Sequence, residues 1–210
     1  MKNILKTTRY KTFYISPRKI KYCLSASDYC DYTQWNSSKI HPHAEQNRGV
    51  FREDPLGYIK INNSKWDYNP GILFTKLLEY QALLEHYNGK ESWKKSKFAK
   101  RYYAYLKISK VVDRGFSNAD DFLLYREKQI DALFESILKN GIYPVNIKKN
   151  KKLFVDNISI ALTKHKRLYF NNRGHHRLSI AKILALREIP IKITVAKSQK
   201  NLEEFYLLNK

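Results

Sequence analysis

The order helix, strand, hairpin, helix, strand, written between residues 118 and 197, constrains the fold of this chain more than any other feature. In "SNADDFLLYREKQIDALFESILKNG", residues 117–141, Ile130, Leu133, Phe134, Ile137 and Leu138 recur at helical spacing and make one apolar face. Ser117 is placed to cap that helix, Asp120 and Asp121 lie near its positive end, and Asn140-Gly141 stops it. "IYPVNIKK" then reads as a strand, and "VDNISIAL" and "KRLYFNN" as a hairpin turning near Thr163 to Lys166. A helix opens after Gly174, and "IPIKITVAK" is a last strand with Ile189, Ile191, Ile193 and Val195 on alternate positions. "NLEEFYLLN" is a short terminal helix. Elements in this order pack as a compact unit around a small mixed sheet, of the α/β (α+β) class.

Upstream, residues 1–115 read as a mostly helical N-terminal extension, with residues 116–210 as the domain that owns the sheet. "KTFYISPRKIKYCLS" holds a short extended segment and a turn or helix start after Pro17, and "WDYNPG", residues 66–71, is a turn. Residues 72–88 predict a helix, with Leu73, Leu77, Tyr80 and Leu84 in register and Asn88-Gly89 as its stop. Residues 90–110 interleave Lys and Arg with Trp93, Phe98, Tyr102, Tyr103 and Tyr105. That pattern fits either a stacking platform for single-stranded nucleic acid or a helix with its aromatics in the core.

The formal net charge of +21 favours a polyanionic partner, although a Lys-, Asn-, Ile- and Tyr-rich composition also arises without selection for binding. No apolar run reaches the length of a membrane span, and "KKNKK", residues 148–152, is a charged loop. Cys23 and Cys30 imply no disulfide framework, so a reduced, cytoplasmic setting is expected.

Chemistry concentrates in "NNRGHHRLSIAKILALREIP", residues 171–190. Gly174 ends a strand and opens a helix, where unpaired backbone N–H groups and the helix dipole favour an anion. Arg177 adds a planar fork suited to phosphate, Arg173 a further charge, and His175 and His176 can donate hydrogen bonds or serve as acid and base. The same residues can instead cap the helix. Being adjacent, the two histidines are expected to point in different directions rather than face one ligand equally. Neither a CxxC nor an HExxH pattern is present, and His41-Pro42-His43 is a weak motif, so no metal ligand is expected.

From "QIDALFESILKNGIYPVNI" through "RLYFNNRGHHRLSIAKILALREIPIKITV", about residues 125–197, the chain resembles the ParB/sulfiredoxin superfamily. The resemblance implies a ParB/sulfiredoxin-like small mixed sheet with packed helices and a ligand turn at Asn172, Arg173, Gly174, His175, His176, Arg177 and Ser179. Its branches differ in chemistry. Chromosome-partition members bind a nucleotide triphosphate and DNA, and sulfiredoxins carry a cysteine where this chain has His175. Others are nucleotide-dependent small-molecule kinases or nucleases. The leading expectation is a stand-alone ParB-like protein binding a nucleotide, with Mg2+, or a nucleic-acid backbone at this turn. The alternatives are a phosphotransferase with His175 or His176 as acid/base, then a nuclease, then a scaffold with a degenerate site. Relatives with this turn often carry an acid before the glycine, where Arg173 stands here. Glu135 or Asp131 would then supply the carboxylate, and one found close to His175 would favour phosphotransfer.

Overall fold

The computed structural model describes residues 8–24, 51, 54, 57–67, 71–89, 91–110, 112–143, 157–171 and 173–209 of the 210-residue chain. Within them lie a mixed seven-stranded sheet and five α-helices, the α+β class expected. The sheet is centred on β5 (Ile158–Leu162), β6 (Leu168–Phe170) and β7 (Ile189–Ala196). β5 and β6 form the expected antiparallel hairpin, and Lys166 N–H donates to the Thr163 carbonyl at its turn. The chain then crosses through helix α4 (His175–Ile183) so that β7 returns parallel to β5.

Four short upstream strands complete the sheet. β1 (Thr12–Ile15) and β3 (Lys60–Ile61) both line β7, β2 (Tyr22–Cys23) runs parallel to β6, and β4 (Ile72–Leu73) pairs with β2. One sheet face, carrying Ile158, Ile160, Phe170, Ile191 and Ile193, packs on Phe74, Leu77, Leu178 and Leu202. The other presents Ala161, Tyr169 and Val195 to Leu24, Phe51 and Trp66. A third apolar cluster lies among α1 (Leu78–Gly89), α2 (Lys97–Ser109) and α3 (Ala119–Asn140), with Leu83, Trp93, Phe98, Tyr102 and Leu123 at its centre. Residues on both sides of position 115 contribute to all three of these clusters.

Several expectations need correction. The helix expected over 72–88 starts at Leu78, because Ile72 and Leu73 pair with Cys23 and Tyr22. Gly71 makes that pairing possible, since a Cβ there would lie 1.9 Å from the Cys23 carbonyl oxygen. Asn118, not Ser117, caps α3, its side chain accepting from Asp121 N–H at 2.8 Å. On α3, Ile130 and Ile137 are buried but Leu138 is exposed. Val195 does not share a face with Ile193. A bulge opposite Ile160 and Ala161 shifts the register by one residue and sends Val195 to the other side. Ile142 and Tyr143 are not in a strand, and the rest of the "IYPVNIKK" strand lies outside the described residues, as do the 148–152 loop, Cys30, His41 and His43.

The aromatics of residues 90–110 pack inward, with Tyr103 and Tyr105 half-buried against the core. Trp93, Phe98 and Tyr102 are fully buried, which leaves their faces no room for bases. Ser96 starts α2 by accepting from Ala99 N–H at 3.1 Å. Ser96→Ala removes that cap and is expected to lower stability by about 1 kcal/mol, read from the midpoint of urea unfolding. No described helix is long and apolar enough to cross a membrane.

Candidate functional site

The turn before α4 is built by the sheet. Asn171 N–H donates to the Ser159 carbonyl and Ser159 N–H to the Arg173 carbonyl, which carries the β5–β6 pairing past the end of β6. The Asn171 side chain anchors this corner, donating to the Phe51 carbonyl and Thr194 Oγ1 at 3.0 Å and accepting from Phe51 N–H. Gly174 then turns the chain with φ +83°, in the left-handed region. A Cβ there would meet Ile158 Cα at 2.9 Å and the Asn157 carbonyl oxygen at 3.0 Å. Glycine is required twice, for the dihedral and for the space.

His175 and His176 follow as the first two residues of α4, and both reach one carboxylate. His175 Nε2 lies 2.8 Å from Glu79 Oε2, and His176 Nε2 lies 2.5 Å from Glu79 Oε1. The two imidazole rings are 4.0 Å apart, centre to centre. The expectation that adjacent histidines diverge is therefore wrong at this helix start. A carboxylate has two oxygens, and each takes one ring.

Glu79 belongs to the first turn of α1, is fully buried, and forms an ion pair with Arg126 of α3. Arg126 Nη2 is also 3.1 Å from His176 Nε2, and its guanidinium lies over the Phe98 ring, 5.2 Å from the centroid. Three helices thus meet on one buried carboxylate. Burial lowers the Arg126 pKa to about 10, which leaves it cationic at neutral pH. Burial, reinforced by the positive charges of Arg126 and Arg114, pushes the His175 imidazole down to about 3, so it is neutral. The imidazoles are the open side of the cluster, with 26% and 24% of their side chains exposed against 1% for Glu79.

The other expected residues divide. Arg173 and Arg177 flank the histidines and are half-buried. Ser179 is buried on the inner side of α4 with Leu178 and Ile180, away from any solvent-borne ligand. Asn172 lies outside the described residues. Glu135 is exposed on α3, and Asp131 bonds His86 and Tyr87 instead. Neither is the carboxylate of the turn. That role falls to Glu79, one of two acids in the helical stretch over residues 72–88 and 96 residues before His175, and the sequence offers no signal that sets it apart from Glu85.

The chain matches no protein-family model, no curated protein and no solved structure.

Proposed function

We propose that the Gly174 turn binds the phosphate of a phosphate-bearing ligand, with a nucleotide favoured over a nucleic-acid backbone. The observation that carries this reading is the gathering of guanidinium groups at this turn. Arg126 pairs with Glu79, while Arg114 acts on His175 and Arg173 and Arg177 flank it. The first turn of α4 also has no side-chain cap, so its N–H groups suit an anion. The resemblance to the ParB/sulfiredoxin superfamily points to the same turn. A nucleotide is favoured because cationic side chains also gather elsewhere. Lys19, Lys21, Lys166 and Arg167 line a cavity of about 580 Å³ at the opposite end of β6, so the basic charge is not focused on the turn.

Phosphotransfer is the second reading, and Glu79 is the observation that favours it. A carboxylate bonded to an imidazole orients it for proton transfer, so His176 would act as acid or base while Arg177 holds the phosphate.

A thermal-shift panel of nucleotides, with and without Mg2+, tests the reading. A nucleotide at one hundred times its Kd adds about 2.7 kcal/mol, a shift of several degrees for a chain of this length. Arg177→Ala is expected to abolish most of that shift while leaving the unliganded protein folded. If no nucleotide stabilises the wild type, the nucleotide reading fails. A DNA titration whose affinity falls steeply with salt would transfer the site to a nucleic-acid backbone.

A further inference from the structure

We infer that Glu79, His175 and His176 form a binding site for a divalent transition-metal ion of the zinc type. Among the described residues this is the trio of His, Cys, Asp and Glu whose ligand atoms converge, all lying within 4.8 Å of one another. Two imidazoles and one carboxylate suit Zn(II) and its first-row neighbours, whereas Mg2+ and Ca2+ prefer oxygen alone. Three protein ligands leave further positions open, which is the pattern of a catalytic rather than a structural ion. Those positions lie on the imidazole side of the trio, since solvent reaches the rings and not the carboxylate, although His175 Nε2 itself is covered.

The distances fit with a small adjustment. Metal–ligand bonds of about 2.0–2.2 Å in a tetrahedron place ligand atoms about 3.3 Å apart. His175 Nε2 lies 2.8 Å from Glu79 Oε2 and the three ligand atoms all lie within 4.8 Å of one another, so the side chains must shift by no more than about 1.5 Å, within what rotamer adjustment supplies. The protons point the same way. His176 Nε2 sits against both Glu79 Oε1 and Arg126 Nη2, and one ring nitrogen cannot donate to the carboxylate and accept from the guanidinium together. A cation accepted by the ring nitrogens and by Glu79 Oε2 removes that conflict. Arg126 then stays on Oε1 as the group that orients the ligating carboxylate.

A second histidine cluster serves as a contrast. His86 contacts Asp131 through Nε2 and the Glu91 carbonyl through Nδ1, and Asp131 also accepts from Tyr87. That network uses both ring nitrogens within the protein.

The inference shares its site with the phosphate reading and rests on it only for what the ion would act upon. Bound beside Arg177, the ion presents its open positions to a phosphate oxygen. The test therefore omits phosphate and nucleotide. Chelator-stripped full-length protein is titrated with Co(II) and followed by visible absorption. One equivalent is expected to give the intense bands of four- or five-coordinate Co(II), and Zn(II) should displace them. His175→Ala and His176→Ala are each expected to weaken binding at least about tenfold. His86→Ala and the double variant His41→Ala/His43→Ala should leave it unchanged. Far-ultraviolet circular dichroism checks that each variant is folded. Should an alanine variant unfold, the wild-type spectrum still decides. Only the weak bands of six-coordinate hydrated Co(II), or bands unaltered in folded His175 and His176 variants, would overturn the site. Because the ion is titrated alone, a negative result here leaves the nucleotide panel standing, and a failed panel leaves the Co(II) spectrum standing.

Discussion

Glu79→Leu is expected to destabilise the protein by about 3–5 kcal/mol, because it strands the Arg126 guanidinium in the interior without a counter-charge. Arg126→Met, which leaves the carboxylate buried beside two imidazoles, is expected to cost about as much. The informative variant is the double one. Taking both charges out together removes the desolvation of both ions and leaves apolar side chains beside Trp93 and Phe98. Glu79→Leu/Arg126→Met should therefore be more stable than either single variant. Chemical denaturation of the four proteins gives the coupling energy of the pair. Additive effects would mean that the pair is not a coupled ion pair in solution. If the double variant recovers stability but binds neither Co(II) nor nucleotide, Glu79 is retained for function rather than for the fold.

Gly174→Ala is the second large effect. The left-handed dihedral alone costs a β-carbon about 1–2 kcal/mol. The added methyl must also displace the backbone of Asn157 and Ile158 at the start of β5, a strain of about 1–3 kcal/mol. The sum, about 2–5 kcal/mol, falls on the corner that aims His175 and His176. Hydrogen exchange is expected to show faster opening at β5 and in the first turn of α4 than at α2. Uniform acceleration across the molecule would mean that the turn is not a local strain point. Nucleotide stabilisation should disappear in this variant even at temperatures where it is folded.

The local parts of this fold were legible because they depend on neighbours in sequence. Gly174 had to follow a strand and open a helix, and a chain reversal over Thr163 to Lys166 had to make a hairpin. The helix over 117–141 was legible from its periodicity to within two residues at either end, its cap moving by one. Ile72 and Leu73 were misread because their pattern fits a helix equally well, and only Tyr22 and Cys23, fifty residues upstream, claim them as a strand. Val195 was misplaced because a bulge is a relation between two strands, and alternation within one strand cannot report it.

By itself the sequence determined an α+β chain with a positively charged, glycine-opened helix start, because spacing and residue type act over a few bonds. It named His175, His176 and Arg177 as the chemical side chains of that start. Only the tertiary structure decided what those side chains face. Glu79 and Arg126 come from helices 96 and 49 residues before His175, and nothing short of packing α1, α3 and α4 together brings them to one point. Burial then sets the chemistry, since the same carboxylate in water would hold neither two imidazoles nor a guanidinium in place.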